Sequence, residues 1–278
     1  MTKQSTSFPL LISTVFALGV MTCSSNAQLP GALSDGLVAY YSFNGNANDS
    51  SGNNNNGVAS GISYATDRFG NANGAALFTT GSSVAVPSLD RLPYHPTTYS
   101  LWLNMQQAPE TGDVLSIIGR IRAWDGESGM LYLINSQAGG GTLGTDNEIV
   151  YYTGATVANS LYQVSSNSWF NLTFTYNADQ FASFYINGSL VNALSSPATQ
   201  SYAFPFLIGS TTVFDGIDNN STHSWIGGMS DVGIWNKALT ATEVTDLYNA
   251  QSVPEPSTYA LLLFSGAASL WALKRRKS

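Results

Sequence analysis

The chain reads as an all-β protein built as a jelly-roll sandwich. Three observations predict this. Apolar residues alternate with polar ones in many short runs, which is the period of a half-buried strand. Turn-forming Gly, Asn, Asp and Ser separate nearly all of these runs. The segment Phe181-Ala-Ser-Phe-Tyr-Ile186, Asn187-Gly188, Ser189-Leu-Val191 is a hairpin, because Asn-Gly supplies the two positive-φ positions of a type I′ turn. Many short strands at this spacing close into two packed sheets.

Taken in order, Leu37–Phe43 is the first strand run. Tyr99–Met105 places Tyr99, Leu101, Leu103 and Met105 on one face. Val114–Ile121, Met130–Ile134 and Ile149–Tyr152 follow, and Trp169–Tyr176 alternates again. After the hairpin, Phe206–Gly209 and Ser224–Trp235 close the set. One helix is expected, starting at Thr240 and ending near Ala250. Thr240-Ala-Thr-Glu243 has the spacing of a capping box, Leu239 and Val244 that of a hydrophobic staple, and Val244, Leu247 and Tyr248 share a helical face.

Both termini carry targeting patterns. Lys3, the apolar stretch Phe8–Met21 and the small residues Ser25-Asn26-Ala27 form a signal peptide over 1–27, with cleavage after Ala27. A lipoprotein alternative would use Cys23, the only cysteine. Cleavage at Ala27 leaves a mature chain without a thiol or a disulfide. At the other end, Val253-Pro-Glu-Pro-Ser257 is an extended linker, since each Pro fixes its own φ and biases the residue before it. An uncharged apolar segment, about 257–273, then leads to Lys274-Arg-Arg-Lys277. The apolar run barely reaches the ~17 residues needed to span a bilayer. Its basic end is held on the cytoplasmic side, which puts the rest of the chain on the other face. Residues 253–278, with Pro254, Glu255 and Pro256 ahead of the apolar run, resemble the PEP-CTERM sorting signal of bacterial surface proteins. The resemblance implies an exosortase-type processing enzyme as partner, transient anchoring in the inner membrane, and delivery to the cell surface or extracellular matrix. A plain C-terminal anchor is the alternative.

Residues 28–252 remain, the length of one large all-β domain. They hold five basic residues, Arg68, Arg91, Arg120, Arg122 and Lys237, against sixteen acidic ones, a balance of about −11. Such a surface repels phosphate backbones and disfavours nucleic acid. It is compatible with cations or neutral polymers.

Four blocks of this domain resemble the LamG-like, concanavalin A-like jelly-roll family. They are Gly36–Asn53, Asp67–Phe78, Trp169–Tyr176 with Tyr185-Ile-Asn-Gly188, and Leu207-Ile-Gly209 with Gly227–Thr240 and Glu243–Tyr248. The resemblance implies a binding or adhesive module, with recognition of sugar or peptide or dependence on calcium. The loop 44–57 is dense in oxygen donors, which suits calcium. The family pattern implies that Asp49, with backbone oxygens near Ser51 and Gly57, meets Asp231 of the closing strand. Ser230 stands where the family commonly carries a second acid. The bland alternative is a polar turn in which Asp49 bonds its own loop. Asp215 and Asp218 mark a second Asp/Asn-rich loop, another candidate cation site.

Sugar rings stack on aromatic faces, so Trp124, Tyr202 and Phe214 are candidate ligand-binding residues, with Tyr151, Tyr152 and Trp225 also considered against a core role. No paired-carboxylate string of the glucanase type occurs. Asp125-Gly-Glu127 and Asp146-Asn-Glu148 are the nearest acidic pairs, and His95 and His223 lie far apart. The sequons at Asn171 and Asn187 read as chance in bacterial export. The sequence therefore predicts no enzyme but an exported adhesion module for extracellular polysaccharide or another glycan. An unrecognised or degenerate carbohydrate-active enzyme and a ligand-free matrix protein are the alternatives.

Overall fold

The computed structural model describes residues 31–90, 92, 96–110, 113–121, 128–135, 145–153, 156–197, 205–210 and 223–254. Residues 26–255 are a compact unit by themselves. The signal peptide with Ala27, and the tail from Glu255 through Pro256 and the apolar run 257–273, lie outside the described residues. No helix among the described residues is long and apolar enough to cross a membrane.

The domain is a sandwich of two antiparallel sheets. The first runs, edge to edge, through β13 (Ser189–Ser195), β12 (Phe181–Ile186), β11 (Trp169–Tyr176), β6 (Thr97–Met105), β15 (Gly227–Trp235), β4 (Ala75–Phe78) and β3 (Ser63–Ala65). β1 (Leu37–Tyr41) also pairs with β15. The second runs through β10 (Val157–Gln163), β9 (Glu148–Tyr152), β8 (Ser128–Ile134), β7 (Val114–Ile121), β14 (Phe206–Ile208), β5 (Ser83–Ala85) and β2 (Val58–Ser60).

Period-2 alternation sorts each strand's side chains. Leu101 and Leu103 of β6 and Leu172 and Phe174 of β11 point between the sheets, where Leu115, Leu131, Leu133 and Ile149 meet them. Tyr151 and Phe174 join the two layers, with ring centroids 4.3 Å apart. Burying each such side chain is worth about 1.5–3 kcal/mol. Tyr151 and Trp225, considered above as stacking surfaces, are buried core residues and are unavailable to a ligand. The hairpin forms as expected, with Asn187 and Gly188 at φ +50° and +75°.

Several strands are absent from the sequence expectations. β2, β3, β4 and β5 are only three or four residues long, too short for a period to show. β10 is an edge strand whose residues are mostly polar or exposed, so it carries little apolar signal. A four-residue helix, α1 (Gly31–Ser34), precedes β1.

The closing helix α2 (Ala241–Gln251) starts where predicted. The Thr240 hydroxyl accepts from Glu243 N at 3.3 Å, and Glu243 Oε2 accepts from Thr240 N at 2.8 Å. That backbone bond first, and Lys237 second, hold the Glu243 carboxyl below its ordinary range. Val244 and Leu247 bury against Leu239, Leu33, Tyr185 and Trp235 on the outer face of the first sheet. Thr240→Ala is expected to cost about 0.5–2 kcal/mol through the lost cap. Urea unfolding of the domain checks this, and an unchanged midpoint would count against a formed cap.

Candidate functional site: an asparagine-rich rim on a buried polar anchor

Two loops at one end of the sandwich are each organised by a single carboxylate. In the loop 44–57, Asp49 Oδ1 accepts from Tyr40 N at 2.9 Å and Ser51 N at 2.8 Å. Its Oδ2 accepts from the Ser51 hydroxyl and from Asn55 N, both at 2.9 Å. Asp67 does the same for the loop that follows β3. Its Oδ1 accepts from Phe69 N and Asn71 N at 2.8 and 2.9 Å, and its Oδ2 from Asn71 Nδ2 at 2.9 Å. Gly74 closes that loop so tightly that a Cβ there would lie 2.6 Å from Asp67 Oδ2. The loops touch through Gly45 N, which donates to Asn73 O at 2.9 Å.

Much of the amide content faces inward. Asn53 and Asn55 donate to backbone carbonyls of β1, and Asn56 Oδ1 accepts from Asp49 N. Asn44, Asn48, Asn54 and Asn73 are different. Their side chains are exposed and make no hydrogen bond among the described residues. Each offers a donor and an acceptor to solvent.

Beneath this rim lies a buried polar cluster that sequence reasoning missed. The Arg68 guanidinium lies over the Trp102 and Phe69 rings, 4.2 and 4.4 Å from their centroids. Arg68 Nη1 donates to Asp231 Oδ2 at 2.5 Å and to Ser230 Oγ at 2.9 Å, and Nη2 to Gln251 O at 2.7 Å. The Tyr40 phenol donates to Asp231 Oδ1 at 2.7 Å and accepts from Gln251 Nε2 at 3.1 Å. Burial, and then the Asp231 carboxylate, push that phenol well above its ordinary range. Asp231 sits at φ +50° where the β15 ladder shifts register, a conformation that Asp tolerates better than most residues. One signal was available: Arg68 is among only five basic residues between positions 28 and 252, between two blocks of uncharged strand.

The expected calcium shell does not assemble. Asp49 and Ser51 bond to each other within the first loop, and Gly57 packs close to Val84. Asp231 is committed to Arg68 and Tyr40. The two carboxylates hold opposite ends of Tyr40, its amide and its phenol, so they do not converge on one ion. Every Asp49 oxygen already takes two protein donors. These residues therefore do not fit a shared calcium ion, and no group of three or more His, Cys, Asp or Glu placed to hold a metal occurs among the described residues. Trp124, Tyr202 and Phe214, the loop acids Asp215 and Asp218, the pair Asp125 and Glu127, and His95 lie outside the described residues. Tyr152 is half-buried against the outer face of the second sheet. Glu148 is buried and accepts from Thr145 N, the Thr145 hydroxyl and Leu161 N. His223 pairs with Asp113 at 3.0 Å.

Arg68→Ala would leave the largely buried Asp231 without its cation, and such losses cost about 3–5 kcal/mol. Chemical denaturation should show a fall of that order. A loss under about 1 kcal/mol would mean that the pair behaves as an exposed one.

Comparison with known proteins agrees with this architecture. Residues 252–277 match the PEP-CTERM protein-sorting motif, which implies export and a membrane-anchored signal before processing. Domain 4 of AbnA, an extracellular GH43 arabinanase from Geobacillus stearothermophilus solved with arabinotriose, superposes with a TM-score of 0.58 at 21% identity, covering 76% of this chain and 98% of that one. The binding domain of Paraclostridial Mosquitocidal Protein 1 gives 0.54 at 19%, over 79% of this chain and 53% of that one. A Trypanosoma rangeli sialidase gives 0.57 at 14%, over 81% of this chain and 34% of that one. These likenesses are of fold. No curated protein sequence matches the chain. Residues 78–245 match the model of the concanavalin A-like lectin/glucanases superfamily, and with more than half of its length in that match the chain belongs to this family.

Proposed function

We propose that the chain is an exported, surface-associated module that binds a neutral extracellular glycan. The observation that carries the proposal is the rim. Two loops, each shaped from within by one carboxylate, present four uncommitted Asn amides on a rigid sandwich. Sugar hydroxyls both donate and accept, and an amide complements both roles. Because the loop backbone is already ordered, binding loses little entropy. The net charge of about −11 favours an uncharged ligand over a polyanion.

One structural neighbour supports the ligand class, an arabinanase domain in complex with arabinotriose, a neutral sugar. Trp124, Tyr202 and Phe214 enter the proposal as ring-stacking partners on their sequence alone. A binding role is favoured over hydrolysis because Glu148, from one of the two acidic pairs, is consumed by three structural hydrogen bonds. The sorting tail delivers the module to the surface through an exosortase-type enzyme.

A glycan array probed with residues 28–252 tests the ligand class. Neutral polysaccharide fragments should bind, equally with calcium or a chelator. The triple substitution Asn44→Ala, Asn54→Gly and Asn73→Gly should weaken binding about tenfold or more, equivalent to about 1.4 kcal/mol, with little change in melting temperature, because glycine tolerates the positive φ of positions 54 and 73. No bound glycan, or full affinity in the triple variant, would refute the assignment. Mass spectrometry of the surface fraction tests the tail. The mature protein should lack Lys274–Lys277, whereas an intact C-terminus in the inner membrane would favour a plain anchor.

A further inference from the structure

Asn followed directly by Gly occurs four times in the chain, at 44–45, 56–57, 73–74 and 187–188, and all four pairs lie among the described residues. In such a pair the glycine nitrogen can attack the carbonyl carbon of the asparagine side chain, because glycine has no Cβ to hinder the approach. Two conditions govern the attack. The amide side chain must be free to turn, and the glycine nitrogen must leave the hydrogen bonds that it donates.

Three of the pairs fail at least one condition. Asn56 Oδ1 accepts from Asp49 N at 2.9 Å, and Gly57 N donates to Ala47 O at 2.9 Å. Asn187 Oδ1 accepts from Asn171 N at 2.9 Å, and a Cβ on Gly188 would lie 3.0 Å from the Tyr248 side chain, so both halves of that pair are confined. Asn44 has a free side chain, but Gly45 N is shared between Phe43 O at 3.0 Å and Asn73 O at 2.9 Å.

Asn73 meets both conditions. Its side chain is exposed and makes no hydrogen bond among the described residues. Gly74 N donates only to Asn71 O, at 3.3 Å, a bond longer than the usual ~2.9–3.0 Å. Asp67 crowds the place that a Gly74 Cβ would take, yet the nitrogen itself is held by that one long bond.

We propose that Asn73 is a site of spontaneous deamidation, through which the rim loses a recognition group as the exported protein ages. The Gly74 nitrogen bonds to Asn73 Cγ and gives its proton to solvent. The Cγ–Nδ2 bond breaks and ammonia leaves, which closes a cyclic imide. Water then opens the imide at either carbonyl, to aspartate or to isoaspartate. Nothing is oxidised or reduced, and water is the only co-reactant. Either product puts a carboxylate where the rim had an amide, in a domain whose net charge is already about −11. Isoaspartate also lengthens the main chain at the residue whose carbonyl ties the two loops together through Gly45 N. Both changes oppose binding of a neutral sugar. That consequence rests on the proposed glycan function, whereas the reaction at Asn73 does not.

Peptide mapping by mass spectrometry tests the site, on residues 28–252 held folded at mildly alkaline pH. Conversion of amide to acid at Asn73 should run about tenfold or more ahead of Asn44, Asn56 and Asn187, a barrier lower by about 1.4 kcal/mol. In concentrated urea the four rates should converge, because the dipeptide is the same and only the fold separates them. Asn73→Gly should remove the early mass gain from the folded domain. A folded domain in which another pair reacts first, in which all four react alike, or in which none reacts while the urea sample does, would overturn the proposal. The aged fraction, separated by its added charge, should bind neutral glycan severalfold more weakly than fresh protein, and full affinity would overturn the loss of recognition. Fresh protein that binds no glycan would remove that consequence together with the ligand assignment, while the mass readout still decides the site.

Discussion

Tyr40 is gripped at both ends by carboxylates, and the arrangement of this end of the molecule follows from that. Its amide donates to Asp49 and its phenol to Asp231. Asp49 spends its remaining capacity on the first loop, and Asp231 spends its own on Arg68. Arg68 in turn reaches Ser230 of β15 and the carbonyl of Gln251, the last residue of α2. One tyrosine thereby ties together a strand, two loops, the closing strand and the closing helix. Removing any charged member strands another polar group in a largely dry place, where unpaired groups are costly.

This arrangement divides the loop residues into two kinds. Those facing the strand hold the loop, as Asn53, Asn55 and Asn56 do, and their amides are used up. The side chains facing outward, those of Asn44, Asn48, Asn54 and Asn73, make no hydrogen bond among the described residues. Shape and chemistry are separated: the carboxylates below determine the first and the free amides supply the second. Under the proposed function, such a rim would need no ion to order it. The arrangement also supplies internal hydrogen bonds to a loop rich in Gly and Asn, residues with much conformational freedom to lose.

Much of the fold is legible in the residues. The alternation in Tyr99–Met105 and Trp169–Tyr176, the Asn187-Gly188 turn and the Thr240–Glu243 box each encode a local structure, and each forms. The short strands at 58–60, 63–65, 75–78 and 83–85 are not legible, because three or four residues carry no measurable period. β10 is hidden for another reason: an edge strand buries too little to need an apolar face. The site is legible only in part. The importance of Asp49 and Asp231 can be read from their setting, but not their partners. Both acids invite a cation, and the cation that answers Asp231 is the guanidinium of Arg68, 163 residues away in sequence. Trp225, just before β15, and Tyr151, in β9, show the same limit from the other side, since an aromatic residue by itself gives no sign of whether the face it lies on is covered.

The central claim is that the protein alone shapes the rim through Asp49. Amide hydrogen exchange at Ser51 and Asn55, measured on the domain in excess chelator, tests it most directly. Both amides donate to Asp49. They should exchange far more slowly than freely exposed amides, and at rates that added calcium leaves unchanged. Fast exchange in chelator that becomes slow only when calcium is supplied would contradict the account.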